Sequence, residues 1–326
     1  MEQVLDLLRA DYRAVTGSPF SHFYCPILFR DEDVELCRAH IVNRAFPNSN
    51  KTWTVQRADV DNFYGGMFEA DFVALQYRGK KLADHIIVDP DLSKKLRPKI
   101  QIGGEVVQHF LAHGPVPKCF TEAVVAGPSG PVRLGLKIHP HGASAAISKG
   151  CQILIEKDGR LPALASLLKA AHLMLFEMLG YRYALSLGDR FLGQTVLGDF
   201  FLRNNGSSKA VVLADAKSHF SEFSNMMRPV LGATAEDQRT LTDRFLYVCR
   251  CQDETPWALM VFIRTSDLLH AVIVPVLDSE NAAVRFMTFL RGDGCAIRAN
   301  PCRFEAGQFF GGNQSESLVW PKAEFL

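Results

Sequence analysis

The chain has 326 residues, 48% hydrophobic and 22% charged, with a formal net charge of +1. This is an ordinary globular composition with room for two domains, and so small a charge excludes a uniformly polyanion-binding surface. Eight cysteines without a secretion signal read as reduced thiols or metal ligands rather than disulfides.

The opening MEQVLDLLRADYRAV carries acids and no apolar core, unlike a signal peptide, so the expected location is cytoplasmic. Val4, Leu5, Leu8, Tyr12 and Val15 recur at helical spacing and predict an amphipathic helix over 4–15, ended by Gly17-Ser18-Pro19. Short strands are expected at 22–30 and 36–42, the second carrying His40, with a turn at Asp31-Glu32-Asp33 between them. A loop rich in Asn, Pro and Ser leads to TWTVQ. Asp59 is placed to cap a short helix, DVDNFYGG. Alternation over 69–78 predicts a strand, as does KIQIGG. EVVQHFLAHG reads as a short helix ended by Gly114. Residues 119–157 read as a β-meander, with His139 and His141 on one strand face.

The longest apolar run, residues 161–181, is interrupted by Lys169, His172 and Glu177. A central core helix fits it better than a membrane span, with Pro162 in the first turn and Gly180 at the end, and no membrane association is expected. Buried ionisable groups cost free energy, so the simplest expectation is a snorkelling Lys169 and a hydrogen-bonded His172. A further helix is expected over 189–203, then a linker at 204–208. Beyond it, FLYVCRCQ, WALMVFIR and LLHAVIVPVL predict a three-stranded antiparallel meander. AAVRFMTFLRG reads as a helix and CAIRANPCRF as an edge strand.

Chemistry concentrates at 25–71. Residues 37–57 hold Arg38, Arg44, Lys51 and Arg57 and no acid, a pattern suited to phosphate contacts. Asp59, Asp61, Glu69 and Asp71 follow at once, and clustered carboxylates suit a hard divalent cation. The same residues also read as capping and solvated side chains.

The succession of hairpin, His40, loop and carboxylate-bearing helix resembles the ββα-metal module of HNH (His-Me finger) endonucleases. Cys25 and Cys37, the segment LCRAHIVNRAF and the cluster ADVDN carry the resemblance over about 50 residues. In that family a histidine at the hairpin end activates water, a polar loop residue orients it, and the helix supplies a ligand to one Mg²⁺ or Mn²⁺. The resemblance implies His40 as general base and Asp61 or Asn62 as helix ligand, with Asp59 beside them. Gln56, or Asn43 beyond it, would be the orienting residue. Arg38, Arg44, Lys51 and Arg57 would hold nucleic acid. Ala39 stands directly before His40, where the family often has an acid, and Leu28 three residues after Cys25, where many members have a second cysteine.

A second metal reading competes at His40. His22-x2-Cys25 and Cys37-x2-His40 have the residue types of a Cys₂His₂ zinc site. His40 as zinc ligand excludes His40 as base. A third reading leaves it hydrogen-bonded in a turn. Phosphate-loop, GxGxxG, GxSxG and HExxH motifs are absent, which weighs against nucleotide hydrolases, dinucleotide oxidoreductases, serine hydrolases and zincins.

The expected architecture is α+β: an HNH-like domain with a helical core over 1–205 and a smaller antiparallel α+β domain over 209–326, the latter available for regulation, a protein partner or homo-oligomerisation. The expected function is a metal-dependent nuclease, in a restriction or defence setting by analogy. The alternative is a degenerate, non-catalytic or zinc-binding module of a larger assembly, and a weaker one a hydrolase using His139 and His141.

Overall fold

The computed structural model describes residues 1–46, 52–76, 89–112, 115–127, 130–137, 151–154, 159–186, 190–230, 246–250, 256–265, 268–275, 280–291, 298–305, 308–311 and 314–316. Gly114, His139 and His141 lie outside them. The fold is mixed α+β with antiparallel sheets. It divides into two compact units: Met1–Glu69 with Leu161–Leu326, and Ala70–Arg160. The division falls at 69/70 and 160/161 rather than at 204–208, where Asn204 is buried and donates to Asp215 Oδ2 (2.6 Å) across two packed helices.

The first unit opens with α1 (Glu2–Thr16), closed by Gly17 in the left-handed region (φ 86°). Tyr12 on this helix meets Phe20, Tyr24 and Tyr181 edge-on or tilted. Residues 22–30 are not a strand. Tyr24 and Asp31 form an isolated bridge, Pro26 interrupts the run, and Phe29 takes φ 56°. Cys25, Ile27 and Leu28 are buried all the same. A short apolar run marks burial and does not by itself fix an extended backbone.

Strands β1 (Leu36–His40) and β2 (Trp53–Arg57) form an antiparallel hairpin. Helix α2 (Ala58–Tyr64) starts directly after it and runs into a wider π turn, Gly65–Glu69. Asp59 is not the cap. Arg57 holds that position without a side-chain cap bond, and Asp59 lies in the first turn.

The core of this unit is α5 (Arg160–Leu179). By length and composition it would cross a bilayer, yet most of it is buried inside the unit. Gly180 follows it at φ 63°, where a Cβ would strike the Asp11 carboxylate that accepts from Tyr181 N. Helix α6 (Tyr181–Ala184), a second π segment (Arg190–Gly198), α7 (Asp199–Asn204) and α8 (Lys209–Ser221) complete the helical part. Phe63 and Phe68 interlock with Phe200, Phe201 and Phe220. Tyr64 Oη donates to Leu197 O (2.8 Å).

The remaining strands form a seven-stranded antiparallel sheet: β9 (Met227–Val230), β10 (Leu246–Arg250), β11 (Pro256–Thr265), β12 (Leu268–Pro275), β13 (Arg298–Glu305), β14 (Gln308–Gly311) and β15 (Gln314–Glu316). The expected meander is β10-β11-β12. β13 sits inside the sheet, between β10 and β14, rather than at its edge. Helix α9 (Glu280–Leu290) buries Phe286 and Phe289 beside Trp257.

The second unit differs more from expectation. Within the stretch 69–78 expected as a strand, Ala70–Gln76 instead continue the helix as α3, because the π turn hands the chain on in helical conformation. Helix α4 (Pro90–Leu96) follows. EVVQHFLA forms β4 (Glu105–Val107) and β5 (His109–Leu111) instead of a helix, each pairing with a strand distant in sequence or across a tight turn. β4, β3 (Lys99–Ile102) and β8 (Cys151–Leu154) make one sheet. β5, β7 (Gly130–Leu136) and β6 (Thr121–Gly127) make another. The expected meander is thus split, with β8 pairing β3.

Candidate functional site

Residues opposite one another in an antiparallel pair share a face, and successive residues alternate faces. The β1–β2 register puts Cys37 across from Gln56 and Ala39 across from Thr54 on one face. Leu36/Arg57, Arg38/Val55 and His40/Trp53 lie on the other. The first face is interior: Ala39, Thr54 and Gln56 are buried. The second is partly open, with Arg38 exposed and His40 and Trp53 half-buried.

On the open face, Arg38 lies over the Trp53 ring, Cζ 4.8 Å from its centroid. The side chains of His40 and Arg44 have no hydrogen-bond or ion-pair partner among the described residues. Arg44 is exposed just beyond the strand. No carboxylate is set against these three among the described residues, in keeping with the acid-free stretch 37–57. Lys51 lies outside them.

Arg57 ends the same face but is consumed. Its Nε donates to Asp59 Oδ1 (3.1 Å), its Nη2 to Asp59 Oδ2 (2.8 Å), and its Nη1 to Glu32. The hydrogen bonds it donates to Asp59 lift the guanidinium further above its ordinary value, and Arg57 in turn holds Asp59 below the usual carboxylate range. Two residues expected to face substrate and metal are instead each other's partner.

The interior face carries a buried ion cluster. Lys169 on α5 is 1% exposed. Its Nζ donates to Asp61 Oδ1 (2.6 Å) and Glu69 Oε1 (2.7 Å). Burial opposes the ammonium, but the two carboxylates outweigh it and hold Lys169 protonated above the ordinary lysine value. Asn43 Nδ2 donates to Glu69 Oε2 (3.1 Å). Burial, followed by the neighbouring Asp61 carboxylate, pushes the Cys37 thiol up to about 11. The π turn explains why Asp61 and Glu69 converge. At 3.6 residues per turn, eight residues of pure α-helix would leave them about 80° apart, and the wider turn brings Glu69 back over Asp61. Lys169 does not snorkel, and no local spacing ties it to residues a hundred positions earlier.

The remaining expected residues fall elsewhere. Gln56 is fully buried on the interior face. Its Oε1 accepts from Cys25 Sγ (3.2 Å) and Arg57 N (2.8 Å), and its Nε2 has no partner among the described residues. It is not brought to His40. Asn62 is exposed on α2. Cys25 is buried, which pushes its thiol up to about 12. His22 sits at the surface, its backbone N bonded to Asp31 and its Nδ1 4.0 Å from Asp33.

These donors do not fit a metal ion. Asp61 and Glu69 already hold a buried ammonium, and Asp59 holds a guanidinium. Cys37 and His40 point to opposite faces of the hairpin, so Cys37-x2-His40 cannot close on one zinc as a strand. Among the described residues, no three His, Cys, Asp or Glu side chains are gathered to hold an ion. His172 is fully buried and bonded, its Nε2 3.1 Å from Pro26 O and its Nδ1 3.4 Å from Tyr183 Oη.

No family model, curated protein or solved structure matches the chain.

Proposed function

We propose that this chain engages the phosphodiester backbone of nucleic acid through the open hairpin face, with His40 as general base, as a divergent HNH-like protein. The observation that carries the reading is the pairing pattern. Arg57, Asp59, Asp61, Glu69 and Lys169 neutralise one another, while Arg38, His40 and Arg44 stand without an acid among the described residues. Unpaired cations beside an unbonded imidazole suit an anionic substrate. In this reading Arg38 and Arg44 hold phosphate oxygens and offset the charge that grows during attack. The His40 imidazole takes the proton of the attacking water, a task suited to histidine near neutral pH. Because the nearby carboxylates do not fit a cation, no step is assigned to a metal.

One observation favours a non-catalytic reading: Asp61, at the expected helix-ligand position, is spent on Lys169. In that case the same face binds nucleic acid without cutting it. The test runs wild type beside His40→Ala and Arg38→Ala/Arg44→Ala on labelled DNA and RNA, measuring both affinity and cleavage, with Mn²⁺ and with a chelator. The expected outcome is binding that weakens with salt and in the double arginine variant, and cleavage lost in His40→Ala. Binding without cleavage selects the second reading. Affinity unchanged by the arginine substitutions removes both.

A further inference from the structure

We infer that the Lys169 ammonium takes the place of a divalent cation between Asp61 and Glu69, closing a latent metal site from within. The inference does not depend on whether the open face binds nucleic acid.

Two carboxylates converge on one point from one helix and its π turn, and the group at that point is a single positive charge. The Nζ distances of 2.6 and 2.7 Å are charge-assisted hydrogen bonds. Asn43 steadies the second oxygen of Glu69, as an outer hydrogen bond steadies a metal-ligating carboxylate. Carboxylate oxygens are the donor type of Mg²⁺ or Mn²⁺, which bind through one or two carboxylates and retained water; here the ammonium stands between them. Lysine reaches the point from α5, a core helix on which it is itself buried. A covalently attached cation is always present and does not exchange, so the carboxylates are neutralised whatever the metal supply. A second, free cation at the same point would meet the ammonium's charge in a buried site.

Truncation should uncover the site. Lys169→Ala removes the ammonium and leaves space between two partly buried carboxylates. Lys169→Met removes the charge but fills the space. Each is compared with wild type by thermal melts across a Mn²⁺ titration and by the loss of the free Mn²⁺ electron paramagnetic resonance signal. Wild type should bind no Mn²⁺ that Asp61→Asn removes. Lys169→Ala should melt lower and regain several degrees with millimolar Mn²⁺, and Lys169→Ala/Asp61→Asn should lose that response. Lys169→Met should gain little. A wild-type Mn²⁺ site abolished by Asp61→Asn would overturn the inference, and this arm decides even if the truncated protein is unstable. Lys169→Ala that gains no Mn²⁺ response, or stays unfolded in Mn²⁺ while the neutral Lys169→Met/Asp61→Asn/Glu69→Gln folds, overturns it equally.

Discussion

Arg57 and Asp59 show what a charge pattern does and does not specify. The sequence marks a change from basic to acidic at 57–59, and that boundary is where the two side chains lock together through two hydrogen bonds. A run read as phosphate-facing therefore contains one member that is spoken for, while Arg38 and Arg44, farther from any acid, stay open. The pair also sets a pH dependence. Asp59 is held below its ordinary value of 3.8 by Arg57. A depressed acid adds stability that is fully present above that ordinary value and lost as pH falls through the folded one. Urea melts at pH 7 and pH 3 should show Asp59→Asn destabilised at pH 7, with a smaller deficit relative to wild type at pH 3. Because Asp59 is well exposed, the difference should be modest; an equal deficit at both pH values would reject the ion pair as its source. Cys37 gives the opposite sign. With its thiol pushed up to about 11 from 9.0, its contribution is full below pH 9 and fades as pH rises towards the folded value. In native protein at pH 8, iodoacetamide should label the exposed Cys119 well before Cys37 and Cys25, and urea should remove the difference. Rapid native labelling of Cys37 would contradict the burial described.

At the level of elements, periodicity served where one face decided the backbone and failed where pairing did. The helices at 2–16, 160–179 and 280–290 and the strands β10, β11 and β12 were legible because each has a long or strongly apolar pattern. Residues 105–111 look helical alone, yet pairing makes them strands: β4 turns back on the adjacent β3, and β5 pairs with β7, which lies outside the window that periodicity samples. The ββα order was legible too, with the hairpin one strand later than expected, since Pro26 and the left-handed Phe29 make 22–30 a loop. The two π segments left no period in the sequence, although Glu69 depends on the first. Their glycines give the element-scale test. At Gly193 an added Cβ would lie 2.7 Å from His172 Cε1 and 2.8 Å from Pro26 O. The carbonyl belongs to the loop that His172 also bonds, so neither neighbour yields freely. Gly193→Ala should cost about 1–3 kcal/mol by overpacking. Gly66, in the other π turn, has open space around it, and Gly66→Ala should be neutral or stabilising by about 0.5 kcal/mol. Chemical denaturation of both variants checks the contrast. Equal effects would mean that the π segment tolerates bulk and that its packing on the 25–29 loop is loose.

For the whole molecule, the division of the chain matters more than any single motif. The linker signal at 204–208 is real turn chemistry, but it joins two helices that share a core. Residues 70–160 form a unit of their own between two parts of the other. Composition carries no mark of this, because a unit inserted between Glu69 and Leu161 needs no flexible tract when helices lead into and out of it. A fragment test follows from the packing across residue 208. Phe220, on α8, is fully buried against Phe68 and Phe200. Phe286, on α9, meets Phe191. Cutting at 208 strips both of these partners, exposing aromatic surface that each contributes about 1.5–3 kcal/mol when buried. Losses of that size approach the net stability of a typical domain. Residues 209–326 expressed alone should therefore lack a cooperative thermal transition and bind a hydrophobic dye. A chain in which a flexible linker replaces residues 70–160 keeps both contacts and should retain a cooperative melt. The reverse pair of results would restore a boundary at 204–208 and make the C-terminal sheet an independent domain.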